Sequence, residues 1–74
     1  MPKLPAISGK KLIQILNSCG FAVKRSSSSH FLPEHGDGRV TTIPLHANKD
    51  LPRGTLKAIL RDIEITSDQL QKLL

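Results

Sequence analysis

The sequence predicts a small two-layer α+β domain with the element order α-β-β-β-α and a short C-terminal helix. Apolar residues recur at helical spacing towards both ends of the chain, whereas short alternating or β-branched runs separated by turn residues occupy its middle. Helices at the two ends of a hairpin-connected sheet are expected to pack on one face of that sheet. With 74 residues, the chain is expected to form a single domain over residues 1–74.

The first helix is predicted for about Gly9–Cys19, after an extended arm that contains Pro2 and Pro5. Ser8 is a suitable N-cap, and Gly20 is a suitable residue to end the helix. The apolar stripe of this helix consists of Leu12, Ile15, Leu16 and Cys19. The single cysteine is therefore interpreted as a small core residue rather than a nucleophile.

A hairpin is predicted to follow. Phe21–Arg25 alternates apolar and other residues as in a strand with one buried face, and the serine run Ser26–Ser29 indicates a turn. His30–Leu32 begins the second strand. Pro33 cannot donate to a sheet hydrogen bond, so pairing is predicted to end near it or to contain a bulge there.

The turn signal His35–Gly38 leads to a third strand, Val40–Ile43, which is β-branched throughout. Pro44 limits this strand to an end or edge position. A connection from Leu45 to Leu51 then leads to the second helix.

The second helix is predicted to run from about Pro52 to Asp62 or Ile63, with Asp50 as a candidate N-cap. Its apolar face consists of Leu56, Ile59, Leu60 and Ile63. Arg53, Lys57 and Arg61 recur every four residues and form a basic ridge. The capping-box spacing of Thr66–Gln69 predicts the start of the last short helix.

The charge distribution favours a polyanionic partner. The formal net charge is +5, and residues 1–61 alone carry ten basic and three acidic side chains. Nucleic acid is the most common partner of such a basic domain. The single cysteine and the lack of an apolar run of transmembrane length predict a reducing, cytoplasmic setting.

No metal or other cofactor is predicted. The three histidines His30, His35 and His46 match no compact zinc spacing, and the few acidic residues argue against a two-metal nuclease. A phosphate-binding P-loop is absent. Phe21 and Phe31 are too few for an RNA-stacking sheet, so recognition would rely on phosphates and shape.

His30 is the most specific chemical candidate. RNA carries its own nucleophile, the 2′-hydroxyl, and a histidine can deprotonate it or protonate the leaving oxygen. Nearby cations could stabilise the phosphate charge, and the cations that flank the predicted strands are Lys24, Arg25, Arg39 and Lys49. The alternative interpretation is a hairpin histidine that makes one hydrogen bond, and the residue chemistry alone favours that alternative.

Several segments in order resemble the HicA family of bacterial toxins, which are small mRNA interferases. The resemblance begins at Ser8–Ile13 and Gly20-Phe21, continues with Ser29-His30 and His35–Thr41, and is closest over Ile43–Leu56. The run Pro-x-His-x-Asn-Lys-x-Leu-Pro-x-Gly-Thr-Leu within the last segment is its most specific part.

The resemblance implies a fold like that of a double-stranded-RNA-binding domain, an mRNA substrate and a HicB-type antitoxin as protein partner. It also implies that His30 is the active-site histidine of the family's Gly-Ser-His motif. Ser28 stands at the glycine of that motif. The glycine that is common after the second helix is replaced near Ile63-Glu64, so this helix is predicted to end differently or to run on.

The sequence therefore predicts a metal-independent endoribonuclease of a type II toxin–antitoxin system. His30 is the predicted catalytic residue, and the predicted RNA contacts are Lys24, Arg25, Ser29 and Arg39. A non-catalytic RNA-binding module on the same fold is the alternative, and a protein-interaction domain whose charge serves only solubility is a third hypothesis.

Overall fold

The computed structural model describes residues 4–45 and 49–74 and has the predicted α+β architecture. The elements are α1 (Gly9–Ser18), β1 (Ala22–Ser27), β2 (His30–Glu34), β3 (Ile43–Pro44), α2 (Arg53–Asp62) and α3 (Ser67–Leu73). The strands form one antiparallel sheet in the order β1-β2-β3. The predicted fold class is confirmed, whereas Pro2 of the predicted arm and His46 lie outside the described residues.

The core is aliphatic and lies between the helices and one face of the sheet. Its buried apolar residues are Ile7, Leu12, Ile15, Leu16, Phe21, Ile43, Leu51, Leu56, Ile59, Leu60, Ile63 and Leu70. All three helices contribute to this cluster, and Pro33 is also fully buried. Each such side chain stabilises the fold by about 1.5–3 kcal/mol relative to exposure. The molecule is thin, with principal extents of 34 × 29 × 18 Å.

Both ends of α1 form as predicted. The Ser8 Oγ accepts a hydrogen bond from the Lys11 N–H at 3.1 Å, as expected of an N-cap. At the other end Gly20 has φ of +92°, and the Phe21 N–H donates to the Leu16 carbonyl at 3.0 Å. This is the Schellman arrangement, in which the left-handed residue lets the next N–H reach back to the last turn.

The start of α2 differs from the prediction. Pro52 occupies the N-cap position and makes no side-chain cap hydrogen bond. Asp50 instead forms an isolated antiparallel bridge with Ser8, and the neighbouring Leu51 N–H donates to the Ile7 carbonyl at 2.8 Å. The prediction of Asp50 as N-cap was wrong because its backbone pairs with the chain that precedes α1. This pairing places the beginnings of α1 and α2 side by side.

The end of α2 also corrects an expectation. The helix ends at Asp62 and does so in the same manner as α1, although no glycine follows it. Glu64 adopts the left-handed conformation with φ of +57°, and the Ile65 N–H donates to the Leu60 carbonyl at 3.0 Å. The Schellman arrangement seen after α1 is therefore repeated with a glutamate in the position that favours glycine.

The hairpin of β1 and β2 is longer than predicted. Ser26 and Ser27 belong to β1, so the turn contains only Ser28 and Ser29. Pairing continues through Val23 opposite Pro33, and the irregularity in register lies between Arg25 and Ser27 instead. The Pro33 carbonyl accepts a hydrogen bond from the Thr41 N–H at 3.3 Å, so the hydrogen-bonding edge of Pro33 faces the irregular segment before β3 and not β1. Pro33 is tolerated because the pairing of β2 with β1 does not need its N–H.

The third strand is shorter than predicted. Only Ile43 and Pro44 form β3, whereas Val40 makes an isolated bridge with Glu34. Pro44 ends an edge strand, as predicted. Pro33 lies within β2 and has no N–H to donate to a sheet hydrogen bond. Regular pairing of β2 with β3 is limited to the pairs His30–Pro44 and Phe31–Ile43.

The last helix, α3, begins as predicted. The Thr66 Oγ1 accepts from the Gln69 N–H at 3.1 Å, and the Gln69 Oε1 accepts from the Thr66 N–H at 2.8 Å. This reciprocal pair is a capping box. It fixes the direction of α3 so that Leu70 is fully buried.

Candidate active site

His30 is the first residue of β2 and lies at the tip of the β1–β2 hairpin, where its side chain is exposed. Its register partners are Ser27 on β1 and Pro44 on β3. The irregularity between Arg25 and Ser27 brings Ser27 opposite His30. Such bulges re-aim side chains and are common beside active sites.

Two hydroxyls lie close to one nitrogen of the His30 ring. Nδ1 is 3.0 Å from the Ser27 Oγ and 3.2 Å from the Ser29 Oγ. A neutral imidazole that carries its proton on Nδ1 donates to one of these oxygens and keeps the Nε2 lone pair for another proton. Among the described residues Nε2 has no hydrogen-bond partner. In that tautomer the exposed ring presents its Nε2 lone pair to the solvent.

The hydroxyls come from a strand and a turn. Ser27 was missed by the sequence interpretation, which assigned all four serines to a turn. No spacing signal identifies Ser27, because its position depends on the register shift in β1. Ser29 lies in the turn, as predicted, and its hydroxyl reaches the ring of the adjacent His30.

The predicted RNA contacts Lys24 and Arg25 lie on opposite faces of the sheet. Lys24 pairs with Leu32, two residues from His30, so all three share the face away from the helices. Diagonal neighbours of this kind are about 7–8 Å apart, a distance that a lysine side chain spans. Arg25 pairs with Phe31 on the other face, and its guanidinium carbon lies 5.5 Å from the centroid of that ring. Of these two predicted contacts, only Lys24 shares the sheet face of His30.

The fourth predicted contact, Arg39, is held by partners within the chain. Its Nε donates to the Asp37 Oδ2 at 2.8 Å, and one terminal nitrogen donates to the Ile63 carbonyl at 2.9 Å. Its guanidinium also lies 5.2 Å from the centroid of the Phe21 ring. These contacts tie the β2–β3 turn to the end of α2, so Arg39 has an evident structural role beside the predicted one.

A histidine and a carboxylate complete this cluster. The Arg39 backbone N–H and guanidinium, helped by the charge of His35, hold the pKa of the Asp37 carboxyl below its ordinary value. The His35 Nδ1 lies 3.2 Å from the Asp37 N–H and 3.1 Å from its Oδ1. The first contact needs a lone pair on Nδ1 and the second needs a proton there, so they belong to different protonation states.

The beginnings of both long helices lie at the His30 end of the molecule. A Cβ on Gly9 would come 2.7 Å from the Pro44 carbonyl oxygen, and Pro44 is the partner of His30. Neither helix has an acidic residue in its first turn. The first turns instead carry exposed cations, which are Lys10, Lys11 and Arg53. Together with the positive ends of the helix dipoles, they favour an anion at this end.

Metal ligands and membrane segments can be assessed over the described ranges. Within residues 4–45 and 49–74, no three histidine, cysteine, aspartate or glutamate side chains converge as a metal site. In the same part of the chain, no helix has the length and apolarity that crossing a bilayer requires.

A family model for the HicA toxin of bacterial toxin–antitoxin systems matches residues 9–65. This match covers the elements from α1 to the end of α2 and well over half of the chain. The chain belongs to the HicA toxin family. No curated protein matches it at a significant level.

Membership defines the general role of this HicA protein. It is the toxin of a toxin–antitoxin pair, and the family consists of ribonuclease toxins, so nuclease action on RNA and an antitoxin partner follow at that level. The match includes the hairpin that carries His30 and the cluster around Asp37.

Proposed function

We propose that this HicA toxin is a metal-independent endoribonuclease that cleaves mRNA with His30 as its general base. The observation that carries the proposal is the pairing of the exposed His30 ring with two hydroxyls at Nδ1, which leaves Nε2 available. A base must come within hydrogen-bond reach of the proton that it removes, and an exposed Nε2 at a hairpin tip is accessible to an RNA strand.

The reaction transfers the phosphoryl group within the RNA. Nε2 of His30 takes the proton of a ribose 2′-hydroxyl, and the 2′-oxygen forms a bond to the adjacent phosphorus. The bond from phosphorus to the 5′-oxygen of the next nucleotide breaks, and that oxygen takes a proton from the imidazolium or from water. The products are a cyclic 2′,3′-phosphate and a free 5′-hydroxyl. No group outside the RNA and the protein is needed to balance this step.

The remaining predicted residues would bind and orient the RNA. Lys24 shares the face of His30 and would offset phosphate charge as it grows in the transition state. The Ser29 hydroxyl would hold the ring together with Ser27. Arg25 and Arg39 remain predicted RNA contacts, although each has an aromatic or ionic partner within the chain.

The antitoxin is proposed to be of the HicB type and to cover the His30 face. Such a partner would block the access of RNA to Nε2. Co-expression of the toxin with a HicB-type protein should yield a stable complex that does not cleave RNA, whereas separate purification of the two proteins despite co-expression would contradict this assignment.

The decisive experiment compares the wild-type toxin with His30→Ala in the presence of a chelator. RNA cleavage should fall by about 10²–10⁴-fold in the variant, as expected for the loss of positioned proton transfer. His35→Asn serves as the matched control, because His35 lies at the other end of β2 and should leave the cleavage rate near that of wild type. Equal cleavage by wild type and His30→Ala would refute the role of His30.

The experiment also tests the alternative function. If the wild-type toxin binds RNA with salt-dependent affinity but cleaves none, the non-catalytic RNA-binding module is favoured. Detection of the cyclic phosphate at the new 3′ end would separate the proposed transesterification from contaminating nucleases of other mechanism.

A further inference from the structure

The exposed side of α2 carries three cations without carboxylate partners. Arg53, Lys57 and Arg61, the basic ridge, are all exposed. Within the described residues, the ion pairs of side chains all involve Asp37, and none involves the ridge. Like charges at i,i+4 repel each other and weaken a helix by a few tenths of a kcal/mol. Arg53 in the first turn also opposes the helix dipole.

A shallow depression runs beside the ridge. It has a volume of about 350 Å³ and is lined by Gly54, Lys57, Ala58 and Arg61. Gly54 and Ala58 are small residues at i,i+4, so they form a low row parallel to the cations. A Cβ built on Gly54 meets nothing within 4 Å. The helix surface therefore offers a narrow track with positive charge along one side.

The track begins at the His30 end of the molecule. Ser8 bridges Asp50 just before α2, and Gly9 lies against Pro44, the partner of His30. Arg61 lies at the opposite end of α2, two residues before Ile63, whose carbonyl accepts a hydrogen bond from Arg39. A nucleic-acid strand that extends from His30 across this end of the molecule would reach Arg53 first and Arg61 last.

We propose that the basic ridge binds the phosphodiester backbone of the RNA substrate outside the cleavage site. Each four-residue step along the helix rises about 6 Å, so three cations in line can neutralise successive phosphates of one strand. Gly54 and Ala58 let the backbone come close to the helix. The ridge reads no base, and it holds the strand so that the segment beyond Arg53 reaches His30. This role rests on the proposed RNA cleavage, but binding can be measured apart from it.

The test uses the full chain with His30→Ala, so that RNA stays intact whether or not the wild type cleaves it. Affinity for a single-stranded RNA of about twenty nucleotides is measured over a range of salt concentrations. Each phosphate contact contributes about 0.7 to the slope of log affinity against log salt. The triple variant Arg53→Gln, Lys57→Gln, Arg61→Gln should therefore lose about two units of slope, and each single variant should lose about 0.7.

Two controls separate the ridge from general charge and from helix stability. Lys72→Gln removes an exposed cation of α3 and should change the slope by much less than any ridge variant. Ala58→Glu places a carboxylate in the track and should weaken binding more than Ala58→Gln does. Far-ultraviolet circular dichroism of each variant should match the parent chain.

Four outcomes decide the proposal. Loss of slope in the ridge variants but not in Lys72→Gln supports it. Unchanged slope and affinity in the triple variant overturn it. Retained RNA binding with loss of the co-expressed antitoxin would also overturn it and would assign the ridge to the protein partner. If wild-type toxin binds RNA through the ridge yet cleaves none, the cleavage proposal fails while this one stands.

Discussion

The Ser27 hydroxyl lies 3.0 Å from the His30 Nδ1 across the hairpin, although the two residues are joined by a turn of only two serines. The register irregularity before Ser27 produces this contact. A hydroxyl that accepts the Nδ1 proton fixes the tautomer in which Nε2 is the free base. Under the proposed mechanism, Ser27 would act through His30 and would not need to touch the RNA.

Replacing Ser27 by alanine should lower RNA cleavage several-fold, because a hydrogen bond of this kind contributes about 0.5–1.5 kcal/mol. Ser27→Thr keeps the hydroxyl and should restore most of the rate. The pH profile of kcat should shift in the alanine variant and return in the threonine variant. Ser28→Ala is the matched control, and an equal loss in Ser28→Ala would argue against a specific role for Ser27.

Gly9 is required by the close approach of α1 to β3. A Cβ at this position would lie 2.7 Å from the Pro44 carbonyl oxygen. Gly9→Ala should lower the free energy of unfolding by about 1–3 kcal/mol, as overpacking against the backbone does. The measurement is chemical denaturation followed by circular dichroism.

Gly54→Ala in α2 is expected to change the free energy of unfolding in the opposite direction. Its Cβ would enter open space, and the substitution should raise the free energy of unfolding by up to about 1 kcal/mol through helix propensity. If Gly9→Ala raised the denaturation midpoint as Gly54→Ala is expected to do, the contact between Gly9 and Pro44 would not govern stability.

Glu64 lies in the left-handed region, which destabilises the folded chain for a residue other than glycine. Glu64→Gly should raise the free energy of unfolding by about 1 kcal/mol, since a non-glycine residue in this conformation costs about 1–2 kcal/mol and glycine is the more flexible in the unfolded chain. Ser28→Gly is the informative comparison. Ser28 does not have positive φ among the described residues, so its replacement should not stabilise the protein. A rise in melting temperature for Ser28→Gly alone would contradict this account.

Asp37 should make stability depend on pH. Because the folded protein lowers the pKa of this carboxyl, its stabilisation is present above the ordinary aspartate pKa and is lost as pH falls through the lower folded value. Asp37→Asn should therefore melt at a lower temperature than wild type at pH 7 and pH 5. The two melting curves should converge as the pH falls below about 3.9, the ordinary aspartate pKa. A constant difference between the curves at all pH values would assign the effect to packing instead.

The local elements were predictable because their signals are local. Ser8 and Gly20 delimit α1 with interactions that span four or five residues, and the capping box of Thr66 and Gln69 begins α3 in the same way. The basic ridge followed from spacing alone. Helix caps and helix periodicity depend on near neighbours, so one sequence is enough to place them.

The errors concern pairing between distant segments. In spite of its turn composition, Ser27 extends β1 because it pairs with His30, and Ser26 lies at the register irregularity between Arg25 and Ser27. Asp50 pairs with the chain before α1 and so does not cap α2. The contact of Ser27 with His30 depends on a register shift that no local pattern encodes. The chemical candidate could therefore be named from the sequence, but its partners could not.

The sheet order leaves β1 as an edge strand over Ala22–Ser27. An unpaired strand edge is a template on which a second chain can add, and charged side chains oppose such addition. Lys24 and Arg25 lie in the middle of this edge. The cations predicted to contact RNA therefore also oppose the addition of a second copy of the toxin at this edge. Neutralising both residues would promote self-association, so a loss of activity in such a variant has to be interpreted together with its particle size in light scattering.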